Sequence, residues 1–554
     1  MMKRRHGPIL NIFFILVSSL GAMAAETNLL QRFEQEVLQE MRDWKISGLD
    51  VVLIDDQTTV YSRRFGEVRS HHVFRCGSIS KLFAAVAVMQ QVEQNRLDLD
   101  QPIERYVPEA VPVDPTPTPT LAPITLRHLL AHRSGLVREA PVGGYFDPSE
   151  PNFDDVMIGI HATVLPTAPG AKMRYSNVGP SVAGHAVARA AGVPFPEYQS
   201  THVLGPLGMQ RSAWLRKSLG PLRVIPSSMR IAQSDGTFQD GPAPVFDFGI
   251  LPAANLFTTA EDLGLFVSML AAGGRARNGA TILKPETLDA MFTPQFTSDT
   301  NGFGLGFSIG SFQGRKSVGH SGAVYGFSSS LNFLPAEKLG VVILGNRDIV
   351  NGRIQKIANL GLHLLLERKL NEPAIQPPPS LRLSEAELAP FIGEYESQSF
   401  WAKVTIKDGE LTADISTQPT RLRPIEPLIF LADSALHESA RMIFERASEG
   451  SITGFKLAGQ TYSRVPLDRP RIPDPWRKLL GSYGPRFIPL VISERNGHLY
   501  ALTENMVDYR LAPLNMHVFE MPPGMYVNEH IVFFPDRQGY PSSLSLAGMV
   551  LRRR

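Results

Sequence analysis

Over residues 47–68 apolar and polar positions alternate in GLDVVLIDDQTTVYSRRFGEV, which predicts a β-hairpin turning at Asp55-Asp56-Gln57. The next stretch, Arg75-Cys76-Gly77-Ser78-Ile79-Ser80-Lys81, runs into LFAAVAVMQQVEQ. Leu82, Val86 and Met89 keep an i, i+4, i+7 spacing, so a loop should deliver Ser78 to the first turn of an amphipathic helix. VPVDPTPTPTLAP at 111–123 is a proline-rich surface loop. ITLRHLLAHRSGL at 124–136 reads as a short helix ended by Gly135. A helix is expected over 178–191, and Thr259-Ala260-Glu261-Asp262 resembles a capping box opening DLGLFVSMLAAGG. Strand patterns return between Ser317 and Asn346, in SSSLNFLP and LGVVILG, and a helix is expected over 353–369. Strands at both ends with helices between give an α+β unit. Its terminal strands should share one antiparallel sheet with a helical insert, and the cleft should lie between sheet and helices.

The remainder repeats itself. FIGEYESQSFWAKVTIKDGEL at 391–411 matches LLGSYGPRFIPLVISERNGHL at 479–499: Gly393, Tyr395, Gly409 and Leu411 recur as Gly481, Tyr483, Gly497 and Leu499, offset by 88. Pro424, Phe430, Phe444 and Arg464 recur as Pro513, Phe519, Phe533 and Arg553, offset by 89, so one residue is inserted between the two sets. Each copy has short alternating segments separated by turns, predicting a small β-barrel of about eight strands. With linkers at 373–379 and 466–475, the expected division is the α+β unit over 26–370 followed by two small all-β barrel-like repeats, 385–466 and 474–554.

Composition adds an address and removes some partners. Lys3, Arg4 and Arg5 precede the apolar run Ile9–Leu20 and an A-x-A site at Ala22-Met23-Ala24, so residues 1–24 read as a secretory signal peptide. The mature chain is then periplasmic or secreted, with no transmembrane segment after cleavage. Removing the leader takes the basic count from 55 to 52 against 53 acidic residues, a net charge of −1, which suggests no nucleic-acid partner. Cys76 is the one cysteine, so no intramolecular disulfide forms, and a buried, unreactive thiol is expected. His128 and His132 stand one helical turn apart with no acidic or thiol partner beside them, so packing or capping is expected rather than metal binding.

The candidate chemistry begins at Ser78. A serine hydroxyl needs a base, and Lys81, three residues on, shares its helix face. Burial or positive neighbours can lower a lysine's pKa enough for that task. Tyr175-Ser176-Asn177 sits at a turn into a helix, and His320-Ser321-Gly322 on a strand. The order S-x-x-K, Y-x-N, H-S-G, with gaps of 97 and 145 residues, resembles the serine β-lactamase and penicillin-binding protein superfamily, in particular its class C-like branch of D-Ala-D-Ala carboxypeptidases, D-aminopeptidases and esterases. The phrases ITLRHLLAHRSGL, RYSNVG and ANLFTTAEDLGLF strengthen the match, which covers about 26–370. A catalytic unit followed by two barrels is similar in layout to a D-aminopeptidase.

The resemblance implies a β-lactamase/DD-peptidase-like domain working through an acyl-enzyme, with no metal or organic cofactor. Ser78 would be the acylated nucleophile and Lys81 its base. Tyr175, as phenolate or shared-proton partner of Lys81, would pass the proton to the leaving group, and Asn177 would position the substrate amide. His320 stands where many relatives have lysine; it would bind a substrate carboxylate if protonated, or relay a proton if neutral. Ser321 and Gly322 would line the substrate site, and the backbone N–H groups of Ser78 and Ala323 would form an oxyanion hole. The expected substrate is a small peptide, amide or ester, foremost a peptide with a D-residue at the cleaved bond. Carboxylesterase, β-lactamase, or a binding protein with an inert hydrolase unit are the alternatives, and the oligomeric state stays open. Glu367-Arg368-Lys369-Leu370-Asn371 matches the E-x-x-L-N pattern of class A β-lactamases but lies beyond the third motif, so it reads as coincidence.

Overall fold

The first and last strands of the hydrolase-like unit lie side by side. In a computed structural model describing residues 28–554 except 113–121, 234–235, 297–301, 374–377, 467 and 469, β1 (Gly48–Asp55) pairs antiparallel with the hairpin strand β2 (Thr58–Gly66) on one side. On its other side it pairs with β7 (Leu339–Gly345), nearly 300 residues later. β3 (Gly302–Phe303), β4 (Ser308–Phe312), β5 (Arg315–Val324) and β6 (Phe327–Leu334) complete a seven-stranded sheet in the order β2-β1-β7-β6-β5-β4-β3. Residues 1–24, expected above to be a signal peptide, lie outside the described residues. Among the described residues no helix is long and apolar enough to cross a membrane.

β1 is buried on both faces, which is why its core reads as a near-continuous apolar run. Leu49, Val51 and Leu53 pack with Phe33 and Val37 of the helix α1 over 28–43 and with Ile354 and Ile357 of α5 (Asn351–Leu370). Val52 and Ile54 face the opposite layer, the helical insert. Within that insert run α2 (Ser80–Glu93), α3 (Val178–Ala191) and α4 (Ala260–Ala271), the last capped by Thr259, whose side chain accepts Asp262 N–H. One expectation changes here. α2 is not amphipathic: residues 80–91 are all buried, so it is the central helix of the insert and its apolar surface runs all round. Glu367 lies on α5 and pairs with Arg32, well outside the cleft.

The repeats are built alike. The first is a closed eight-stranded barrel over 393–464. In the second, the strand equivalent to Gln418–Glu426 is split at Leu511 into Asp508–Arg510 and Ala512–Pro513, which leaves a four-stranded and a five-stranded sheet. Tyr395 pairs with Arg464 in the first copy and Tyr483 with Arg553 in the second, and this pairing joins first strand to last in both. Both tyrosine hydroxyls donate to the carbonyl four residues back, Phe391 O and Leu479 O, each at 2.7 Å. The second repeat is fused to the hydrolase-like unit: Phe487 packs edge-to-face against Phe246 and Tyr325, and the two form one continuous apolar core.

Candidate active site

Ser78 sits in a tight turn, Gly77–Ile79, that leads directly into α2. The turn is fixed from three sides. Cys76 N donates to Leu256 O at 3.1 Å, Ser329 Oγ donates to Cys76 O at 2.8 Å, and Ser80 Oγ donates to Gly77 O at 2.6 Å. Gly77 has φ +56°, and a Cβ there would lie 2.9 Å from Ala323 N. Gly322 is as constrained, since a Cβ there would stand 2.0 Å from Cys76 O. These two glycines let β5 press against the turn, which brings the Ala323 backbone beside Ser78.

Lys81 lies one turn into the helix, 1 % exposed. Its Nζ donates to Ser78 Oγ at 2.9 Å, Asn177 Oδ1 at 2.7 Å and Ala253 O at 2.8 Å. Burial pushes its pKa well below the ordinary lysine value, opposed by the Glu139 carboxylate. Tyr175 moves the other way. Burial raises its phenol, and hydrogen bonding to Ser78 and the Arg138 charge only partly offset that. A base pushed down beside an acid pushed up divides the roles: Lys81 can take the Ser78 proton while Tyr175 holds its own. The phenolate form expected for Tyr175 is thus disfavoured.

His320 is 7 % exposed, and its Nδ1–H donates to Ser321 O at 2.5 Å. Its Nε2 has no partner among the described residues. Burial, then the Lys81 charge, push its pKa down to about 3. Burial therefore disfavours the imidazolium that would bind a carboxylate and favours the neutral ring, with Nε2 left as an acceptor. Tyr175, Phe303, His320 and Ser321 line one cleft of about 450 Å³. Ser321 is exposed on β5.

Further groups hold these motifs in place, and Glu139 and Arg138 among them gave no signal in the sequence. Asn177 Nδ2 donates to Glu139 Oε1 at 2.5 Å, which turns Asn177 Oδ1 toward Lys81. His132 stacks on Tyr175 with ring centroids 4.2 Å apart, and its Nδ1 accepts Ser176 N–H, while His128 closes a capping box with Thr125. Both histidines therefore pack or cap. The second barrel also reaches the site. Arg138 lies between the rings of Tyr175 and Tyr526, at 5.3 and 5.6 Å, and its Nε is 3.8 Å from Glu504.

These groups set two pH expectations. Burial raises Glu139 to about 7. Its folded pKa is then the higher one, so its contribution to stability is complete below the ordinary carboxylate range and lost as pH rises through about 7. Asp348 and Asp50, raised to about 7 and about 6, act in the same direction, so the Glu139 share must be read as a difference. Denaturant unfolding of Glu139→Gln should show a shallower fall in stability between about pH 5 and pH 8 than the wild type; parallel curves would remove the Glu139 contribution. His320, neutral far below neutrality, should leave the shape of the kcat/KM profile unchanged over that range in His320→Gln. Loss of a step near pH 6.5 in this variant would assign a titration to it.

The comparison with known proteins follows from this layout. The beta-lactamase family model matches residues 33–363, well over half of the chain. The chain belongs to the beta-lactamase family. It is a serine hydrolase of the β-lactamase and penicillin-binding protein superfamily. Among its relatives, the D-alanyl-D-alanine-carboxypeptidase/endopeptidase AmpH of Escherichia coli (strain K12) is 23% identical over 350 residues, covering 60% of this chain and 87% of that protein. Esterase EstB of Burkholderia gladioli is 26% identical over 325 residues, 50% of this chain and 79% of that protein. The solved octameric penicillin-binding protein homologue from Pyrococcus abyssi shares the fold with a TM-score of 0.54 at 23% identity, covering 78% of this chain and 99% of that one.

Proposed function

We propose that the protein is an exported hydrolase that cleaves small D-residue-containing peptides or amides through an acyl-enzyme at Ser78. The observation that carries this reading is the buried Lys81 amine, whose Nζ lies within hydrogen-bond reach of Ser78 Oγ, Asn177 Oδ1 and Ala253 O in one set. In the proposed reaction Ser78 Oγ attacks the scissile carbonyl carbon and its proton passes to neutral Lys81. The carbonyl oxygen takes up the charge and accepts hydrogen bonds from Ser78 and Ala323 N–H. The C–N bond breaks as Tyr175 gives its proton to the leaving nitrogen, and the proton on Lys81 returns to Tyr175. Water then attacks the acyl carbon as neutral Lys81 takes its proton, and when the C–Oγ bond breaks that proton passes to Ser78 Oγ, which frees the acid product and restores the serine.

The third motif refines the substrate. Neutral His320 offers an acceptor rather than a cation, and Arg138 is already faced by Glu139 and Glu504. We therefore favour leaving groups without a free carboxylate, such as aminoacyl amides and blocked peptides. The similarity to AmpH supports D-peptides, and that to EstB supports carboxylesterase action as the second reading.

The test pairs intact-mass analysis after a fluorescent penicillin with a panel of D- and L-aminoacyl amides and nitrophenyl esters. One acyl adduct on Ser78 and a D-over-L preference of about tenfold or more in kcat/KM is the expected result. Turnover of esters alone would select the esterase reading. Faster turnover of L-amides would end the D-peptide proposal.

A further inference from the structure

The first barrel is plugged at one end and open at the other. Phe391, Tyr395, Phe430, Phe444 and Phe455 pack ring on ring and fill one half. At the opposite mouth lies a cavity of about 430 Å³, within the range of sites for small organic molecules. Its walls include Phe400, Ile415, Leu457 and Val507, while Gln418, Ser434 and Gln460 bring in amides and hydroxyls. Among the described residues no Asp, Glu, Lys or Arg lines it, and burial lowers the pKa of the His437 imidazole in its wall. Ser416, 1 % exposed, lines the same space with an Oγ that has no hydrogen-bond partner. A buried hydroxyl left unmatched is destabilising, so it marks a place where a polar atom is wanted.

The internal repeat shows why the space exists. At three matched positions the first copy has the smaller or less apolar residue: Ala432 where the second has Met521, Gln460 where it has Met549, and Ser416 where it has Glu504. Ala432 pairs with Ala440, and in the second copy Met521 pairs with Glu529, so the positions are structurally equivalent. The second barrel thus fills its own mouth with the side chains that the first lacks.

The cavity is also held open in advance. Ser416 and Thr417 both have positive φ, +44° and +69°, strained values for a turn that includes a β-branched residue. Thr417 Oγ1 and Gln418 Nε2 tie that turn to Met506 O of the second barrel at 2.7 and 2.5 Å. Asn505 and Val507 of the same loop roof the cavity, and Glu504 beside them faces Arg138. The roof is therefore anchored to the hydrolase domain.

We infer that the mouth of the first barrel is a binding site for an uncharged amphipathic small molecule, with an aromatic or branched aliphatic body and a hydroxyl or amide group. The site is separate from the Ser78 cleft and independent of the substrate assigned above. The full-length chain, with Ser78 capped by a phosphonate to keep probe out of the cleft, is titrated with the neutral fluorophore N-phenylnaphthylamine. Saturable binding of one equivalent is expected. Ala432→Met and Gln460→Met, which import the second repeat's residues, should each weaken it about tenfold or more. Ester hydrolysis by the uncapped variants should stay at the wild-type rate, which reports that they fold. If Ala432→Met does not fold, Gln460→Met at the part-exposed rim decides alone. Absence of saturable binding in the capped wild type would overturn the inference, as would binding that Gln460→Met leaves within about twofold.

Discussion

Ser78→Ala is expected to abolish covalent labelling by a penicillin or a phosphonate and to lower turnover by about 10⁴-fold or more. The reason is the lack of a substitute. The nearest alternative nucleophile by sequence is Cys76, but it is buried, and burial pushes its thiol up to about 12. A thiol in that state carries almost no thiolate at neutral pH. Its Sγ also lies against Ser80 Oγ at 3.7 Å, behind the turn that presents Ser78. Ser80 is fully buried and engaged with Gly77 O and Leu256 N. Removing the Ser78 hydroxyl leaves Lys81 with two acceptors in place of three, so the cleft should keep its shape while losing its reactive oxygen. Intact-mass analysis decides the matter: an adduct persisting in Ser78→Ala, above all one mapping to Cys76, would remove the assignment.

The parts of this arrangement visible in the sequence are those fixed by short-range geometry. Ser78 and Lys81 meet because positions three apart share a helix face. Helix 178–191 and the hairpin turning at Asp55–Gln57 were legible from periodicity and turn chemistry, as was the repeat from its offset. What stayed hidden depends on packing between distant segments. Lys81, Tyr175 and His320 carry ordinary side chains whose proton affinities are set by burial, and burial belongs to the fold. The all-round burial of α2 followed from the sheet, α3 and the 251–254 turn closing over it, which the spacing of Leu82, Val86 and Met89 does not encode. Glu139 reached Asn177 from a loop with no periodic signal. Glu504, Tyr526 and Glu529 approach the site from more than 300 residues away, so the repeat pattern foretold barrels but gave no hint of the contact.

That contact makes the second barrel part of the site's support, and Glu529→Ala is expected to cost about 3–5 kcal/mol of stability. Arg174 Nη2 donates to Glu529 Oε1 at 2.8 Å, with the two side chains 3 % and 2 % exposed. The same Oε1 accepts Arg138 N–H at 2.7 Å, and Arg174 Nε donates to Val527 O at 3.0 Å. Both arginines adjoin site residues, Arg174 before Tyr175 and Arg138 before Glu139. Taking away the carboxylate strands a guanidinium in a dry interface, whereas replacing both partners by apolar residues avoids that penalty. The double variant Arg174→Met/Glu529→Met should therefore recover most of the loss, read by denaturant unfolding, with the hydrolysis rate following the same order. A loss below about 1 kcal/mol in Glu529→Ala would show that the pair is solvated and that the barrel merely leans on the domain. The same reasoning revises what a shortened chain should do. Size alone suggests that residues 26–370 carry enough core to fold without the repeats. A chain ending near Leu370 would, however, expose Phe246 and Tyr325 where Phe487 now packs, and leave Arg138 and Arg174 without Glu504 and Glu529. It is expected to aggregate on expression, while a chain spanning 26–554 stays monodisperse by light scattering; a soluble, penicillin-reactive 26–370 fragment would show that the interface is dispensable.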